Sequence, residues 1–175
     1  MQEKILILDF GGQYNQLIAR RVREQNVYCE VKPCSISPDE IRKLAPIGII
    51  LSGGPQSVYE SVSLHVDPAL FSLGIPVLGI CYGCQLMAYS LGGTVAAATE
   101  ATAREYGKTL TEFDTESAIF HGLPASSVTW MSHGDYISQV PDGFTVTAKT
   151  AVCPTAAMAC PEKKLYGVQF HPEVQ

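Results

Sequence analysis

The residues best suited to covalent chemistry in this chain are Cys81, His171 and Glu173. Cys81 stands in Gly79-Ile80-Cys81-Tyr82-Gly83, between the apolar run Ile75-Pro76-Val77-Leu78 and the helical pattern Gln85-Leu86-Met87-Ala88-Tyr89-Ser90-Leu91, which ends at Gly92-Gly93. Strand, sharp turn and helix in that order make a nucleophile elbow, G-x-S-x-G with cysteine in the serine place. Flanking glycines let the backbone bend tightly enough to thrust the central side chain into a cleft. The partial positive charge of a helix N-terminus favours thiolate over thiol there. A thiol nucleophile needs a base to take and return its proton, and the base needs a partner that fixes its tautomer. His171 and Glu173, joined by Pro172 just past the last apolar run, can point the same way from an extended backbone. With Cys81 they form a candidate triad of nucleophile, base and acid.

These residues must be held by a scaffold, and the chain supplies a β/α alternation. Lys4 to Phe10 reads as a strand buried on both faces, Gly11-Gly12-Gln13 as its turn, and Asn15 to Gln25 as a helix with Ile18 and Val22 inward and Arg20, Arg23 and Glu24 outward. Val27 to Val31 is a second strand, and Ser37-Pro38-Asp39-Glu40 starts a short helix with a capping box. Ile47 to Leu51 is a strand closed by Ser52-Gly53-Gly54-Pro55, followed by a helix near Pro68 to Leu73 and the strand before Cys81. Alternation of this kind predicts an α/β fold with a doubly wound, mostly parallel sheet flanked by helices. From Thr94 to Thr115, and again in Val128–Met131, Phe144–Ala148 and Leu165–Phe170, the composition predicts shorter, partly antiparallel strands added in the C-terminal half. With no repeat, linker or low-complexity tract, residues 1–175 are expected to form a single domain.

Apolar residues make up 46% of the 175 and charged residues 17%, below the roughly 25% usual in soluble domains. The net charge of −5 argues against nucleic acid and anionic membranes as partners and for a small substrate. The run Ile5 to Leu8 is too short for a secretory signal and nothing approaches a membrane span, so the expected location is the cytoplasm, with the six cysteines reduced.

Other readings of the same residues are weaker. A zinc site from Cys81, Cys84, Cys153 and Cys160 has the wrong spacing in its second pair, so no metal is expected. A redox pair at Cys81 and Cys84 does not explain the glycine elbow. His133, flanked by Ser132, Gly134 and Asp135, rivals His171 as the base but is read as a loop support. Arg20, Arg21 and Arg23 are read as a solvated helix face, with a partner-docking role as the sharper option.

The two stretches around the triad, Gly79-Ile80-Cys81-Tyr82-Gly83-Cys84-Gln85 and Gly167-Val168-Gln169-Phe170-His171-Pro172-Glu173, resemble the class I glutamine amidotransferases. Leu8-Asp9-Phe10-Gly11-Gly12-Gln13-Tyr14, its continuation from Gln16 to Glu24, and Trp130-Met131-Ser132-His133-Gly134-Asp135 narrow the resemblance to the amidotransferase domains of bacterial-type GMP synthetases. The resemblance implies that Cys81 forms a glutamyl thioester, that the backbone N–H groups of Tyr82 and Gly54 make the oxyanion hole, and that Gln85, Ser132, Gly134 and Asp135 hold the α-amino and α-carboxylate groups of glutamine. It also implies a partner, an ATP-pyrophosphatase domain that aminates XMP, with ATP and Mg2+ bound there and no cofactor in this domain. This chain is then expected to be the N-terminal part of a longer, homodimeric enzyme. The competing readings are the glutaminase domain of another class I amidotransferase and a cysteine hydrolase of the same fold, such as a γ-glutamyl peptidase. One departure is Cys84, where the family usually has methionine; it puts a second thiol near Cys81 and exposes the site to oxidation.

Overall fold

A computed structural model describes residues 2–99 and 104–174. Its main sheet has nine strands, and the order explains how distant segments meet. β1 (Lys4–Asp9) pairs in parallel with β2 (Tyr28–Pro33) and β3 (Gly48–Leu51), β3 with β4 (Val77–Ile80), and β4 with β11 (Leu165–Val168). Beyond β11 the pairing turns antiparallel, through β10 (Ala157–Cys160), β9 (Thr145–Lys149), β6 (Glu105–Phe113) and β7 (Ser126–His133).

The parallel half is apolar because both faces are covered. Leu6, Leu8, Ile49, Leu51 and Val77 pack into one buried cluster with α2 (Pro38–Leu44) and α3 (Tyr82–Ser90). Ile7, Cys29, Ile80 and Val168 pack into a second cluster with Ile18 and Ala19 of α1 (Asn15–Glu24). The capping box forms as expected: Ser37 Oγ accepts from the Glu40 N–H at 3.2 Å, and the Glu40 carboxylate accepts from the Ser37 N–H at 3.0 Å.

Three expectations change in detail. The segment near Pro68 folds as a 3-10 helix, Pro68–Ser72, capped by the Asp67 side chain. Two strands have no counterpart in the sequence pattern, β8 (Asp135–Gln139) and β10, and β8 pairs with β5 (Thr94–Ala97) in a separate two-stranded sheet instead of extending the main one. The helix after Cys81 begins at Tyr82, so Cys81 itself occupies the N-cap position. Part of the stretch read from Thr94 to Thr115, residues 100–103, lies outside the described residues.

Candidate active site

Register does most of the assembly. Parallel pairing sets Ile80 opposite Val168, so the chain leaves β4 and β11 side by side, and the Cys81 N–H donates to the Val168 carbonyl at 2.8 Å. Cys81 therefore emerges next to Gln169 with His171 two residues on. At the other flank Leu51 pairs with Gly79, which brings Ser52-Gly53-Gly54 to the same edge. This is the carboxyl end of the parallel strands, where open α/β sheets bind ligands. β7 closes the group from beyond, its Trp130 carbonyl accepting the His171 N–H at 2.8 Å.

Cys81 has φ 52° and ψ −107°, a left-handed conformation that a side chain adopts only under constraint. The constraint is visible on both sides, since the Gln85 N–H donates to the Cys81 carbonyl and the Gly83 N–H to the Ser52 carbonyl. The Tyr82 ring is buried, stacks on Phe10 with centroids 5.4 Å apart, and its hydroxyl donates to the Leu64 carbonyl. Its side chain thus anchors the elbow while its N–H stays at the turn. Neither the Tyr82 nor the Gly54 N–H has an intramolecular acceptor among the described residues. Gly54 admits no side chain: a Cβ there would lie 2.8 Å from the Phe10 carbonyl oxygen.

His171 is buried, and its Nδ1 bonds the Glu173 carboxylate at 2.7 Å, leaving Nε2 for the sulfur. Burial by itself pulls the imidazole down, but hydrogen bonding to the Cys81 sulfur and to Glu173, with their charges, outweighs it and pushes the ring up to about 10. Tyr14 packs edge-on against the imidazole at 5.3 Å. Because this value is raised, the stability contributed by protonated His171 is full below its ordinary 6.5 and is lost as pH rises through about 10. Glu173→Gln removes one raising partner. The imidazole should then titrate lower by NMR, and the urea-unfolding gap between wild type and variant should narrow from neutral pH toward 10; a gap that widens would contradict the pairing.

A cleft of about 520 Å³ opens over this group, and Gly54, Cys81, Tyr82, Gln85, Ser132, Gly134, Asp135 and His171 all line it. Glu173 lies behind His171 and does not. The Asp135 carboxylate accepts from Ser57 Oγ and from the Tyr59 hydroxyl at 2.9 Å, two partners with no signal in the sequence. Gln85 Nε2 is engaged internally, donating to the Asp135 carbonyl at 3.1 Å.

His133 is a support, as its sequence setting implies. Its Nδ1 meets the Asp135 carbonyl at 2.8 Å and its Nε2 the buried Glu105 carboxylate at 3.1 Å, so both ring nitrogens are occupied away from the sulfur. Glu105 also accepts from Thr150 Oγ1 at 2.7 Å. Cys153 lies beside this pair, its thiol pushed up to about 12 by burial and by Glu105. Sequence reasoning misses Glu105, for which the available signal is a carboxylate at an inward position of a strand.

Two side chains differ from their sequence reading. Arg21 is not simply solvated: its Nε donates to the Glu173 carbonyl at 3.0 Å, tying α1 to the triad segment, while Nη1 pairs with Glu24 at 2.9 Å. Cys84 is wholly buried, against Gly167, and burial first, then charge on Cys81 and Cys153, pushes its thiol well above the ordinary range. Thiol exchange needs thiolate and access. Cys84 has neither, and it serves as packing.

An elbow cysteine over a doubly wound sheet, backed by a buried histidine–glutamate pair, has the arrangement of an α/β thiol hydrolase. The family model described as "Glutamine amidotransferase class-I" matches residues 6–175, and the chain belongs to that family. It is 57% identical over 173 residues to the GMP synthase [glutamine-hydrolyzing] of Clostridium botulinum (strain Alaska E43 / Type E3), covering 99% of this chain and 33% of that protein. Against the enzyme of the same name from Geobacillus kaustophilus it is 56% identical over 174 residues, covering 99% of this chain and 34% of the relative. The chain thus spans about a third of the length of these relatives. Among solved structures, a Thermoplasma acidophilum protein assigned to GMP synthase superposes with a TM-score of 0.84 at 33% identity, covering 100% of this chain and 86% of the other. A glutamine amidotransferase from Thermotoga maritima, at 23% identity and a TM-score of 0.76 over 99% of this chain and 77% of its own, shares the fold. Among the described residues no helix is long and apolar enough to cross a membrane.

Proposed function

We propose that this chain is the glutamine-hydrolysing part of a GMP synthase, splitting glutamine into glutamate and ammonia and passing the ammonia to a synthetase portion that aminates XMP. The observation that carries the reading is the β4/β11 register, which sets Cys81 beside the His171–Glu173 pair at a cleft open to a small substrate. Identity to GMP synthases along nearly the whole chain supports the choice of acceptor.

The Cys81 thiolate attacks the side-chain amide carbon of glutamine, forming a C–S bond and a tetrahedral oxyanion that the N–H groups of Tyr82 and Gly54 receive. His171 gives its proton to the amide nitrogen, the C–N bond breaks, and ammonia leaves a glutamyl thioester. Water then loses a proton to His171 and attacks the thioester; the C–S bond breaks, releasing glutamate and restoring the thiolate. Glu173 holds the imidazole through both steps. Gln85, Ser132, Gly134 and Asp135 surround the end of the cleft proposed for the α-amino and α-carboxylate groups, with the Asp135 carboxylate as the counter-charge for the amine.

ATP and Mg2+ are proposed to bind the synthetase portion, outside these residues. The described lining of the cleft includes neither lysine nor arginine, and so fits a triphosphate poorly. A cytoplasmic homodimer completes the reading. The test is to acid-quench the natural full-length protein during turnover of glutamine and to look for a glutamyl adduct on the Cys81 peptide by mass spectrometry. An adduct from free glutamine is expected. An adduct from a γ-glutamyl peptide alone would move the reading to a peptidase, and none from either would overturn it.

A further inference from the structure

Gln169 has no part in the mechanism above, yet its side chain is fully buried at the point where β11 runs out beside Cys81. A buried amide must be hydrogen-bonded at both ends, and this one is. Its Oε1 accepts from Gln85 Nε2 at 3.0 Å, and its Nε2 lies 3.5 Å from Cys81 Sγ. The direction is set from outside. The Asp135 main-chain oxygen, 3.1 Å from the Gln85 amide, can only accept, so Gln85 must turn its nitrogen that way. That nitrogen also meets Gln169, which must answer with oxygen and therefore aims its NH2 at the sulfur.

We propose that Gln169 is a further functional residue of this site, the hydrogen-bond donor that stabilises the Cys81 thiolate, held in orientation by the relay from Asp135 through Gln85. The proposal rests on the reading of Cys81 as the nucleophile. Two groups compete for the sulfur. The Ser132 carbonyl, 3.7 Å from Sγ, accepts from a thiol and repels a thiolate; the Gln169 amide favours the thiolate. Without that donor the carbonyl is unopposed and the neutral form gains. The titratable groups facing the sulfur are His171, with Glu173 behind it, from the turn after β11, and Cys84 from α3; Tyr14 stands on the far face of the imidazole. Burial holds Cys84 neutral, so it sets no charge against the thiolate, and among the described residues the nitrogen donors to the sulfur are His171 and Gln169. The relay also joins the nucleophile to Asp135, the residue proposed to bind the substrate amine.

The measurement is the pH profile of iodoacetamide alkylation at the Cys81 peptide in the natural full-length protein, for wild type, Gln169→Met and Gln169→Glu. A hydrogen bond to a charged group corresponds to roughly one to two pH units. The Met variant should therefore alkylate about 10-fold more slowly near neutrality, with its midpoint raised by about one unit, and the Glu variant should shift further. Gln169 does not line the cleft, and Gln85 keeps its bond to the Asp135 carbonyl without it, so kcat should fall while KM for glutamine stays within about twofold, a split that a general loosening of the site would not produce. Profiles that superimpose on wild type overturn the proposal. Should the Gln169 variants not fold, Gln85→Leu frees the amide to turn and should shift the midpoint in the same direction by less; an unmoved midpoint there overturns it equally. Glutamine hydrolysis that survives in Cys81→Ala would bring down the underlying reading, whereas Cys81-dependent hydrolysis with unmoved profiles would bring down only the role of Gln169.

Discussion

Replacing Cys81 with alanine is expected to abolish glutamine hydrolysis, by about 10⁴-fold or more, while leaving the protein folded. The size follows from the proposed role, because removing the nucleophile of a triad cancels the contribution of its partners as well. Residual turnover would come only from the oxyanion donors and from substrate positioning. Stability should respond differently. Cys81 holds φ 52° and ψ −107°, and a non-glycine residue in such a region costs about 1–3 kcal/mol. Alanine inherits that strain and loses the sulfur that helps to raise His171, so at neutral pH it should melt below wild type while remaining folded. Cys81→Gly relieves the strain and should be more stable than the alanine variant by about 1 kcal/mol while equally inactive. The pair separates catalysis from strain: both variants lack the thiol, and they differ in stability only through the Cβ that the positive φ penalises. Ammonia release and thermal melts on the three proteins check both halves. Substantial hydrolysis in the alanine variant, or a glycine variant less stable than alanine, would contradict this account.

The elbow is legible because local words specify it. A strand pattern, a glycine either side of cysteine and an immediate helical pattern are consecutive in the chain, and each agrees with the next. The pairing of Cys81 with His171 and Glu173 is legible from chemistry, since a thiol base needs an orienting acid and those two residues stand at the end of an apolar run. The capping box at Ser37 and Glu40 is legible for the same local reason.

What escapes reading depends on contacts between strands remote in sequence. β10, Ala157 to Cys160, is buried along its whole length, so its Ala-Met-Ala-Cys run has no alternation to betray a strand. β8 follows β7 after the single residue Gly134, too short a break to mark a second strand in the sequence. The Glu105–His133 pair, the Ser57 and Tyr59 contacts to Asp135, and the Gln169 amide beside Cys81 each need a register that single-sequence patterning does not provide. Arg21 reads as solvated because helical periodicity sees its own helix and not the Glu173 carbonyl packed beside it.

Gly83→Ala sets two effects against each other, and their magnitudes decide the sign. Gly83 is the second residue of α3, and alanine favours helix over glycine by about 1 kcal/mol. On propensity alone the substitution stabilises. The site forbids it: a Cβ at Gly83 would lie 2.4 Å from the Leu51 carbonyl oxygen and 2.6 Å from the Leu51 Cβ. Backbone cannot rotate away as a long side chain can, so α3 must lift from β3. Overpacking of this kind costs about 3 kcal/mol, and the net loss should be about 2 kcal/mol, or a melting temperature lower by about 4–8 °C in a domain of this size. The damage should not stop at stability. The Gly83 N–H donates to the Ser52 carbonyl at 3.1 Å, a contact that holds the Gly53-Gly54 turn against the elbow. Lifting α3 separates the proposed oxyanion donors on Tyr82 and Gly54, and loss of one such donor lowers kcat by about 10²–10³-fold. Gly83→Ala should therefore be both less stable and slower by at least about 10²-fold at temperatures where it remains folded. A raised melting temperature with unchanged turnover would mean that helix propensity wins and that close contact between α3 and β3 is not what shapes the site.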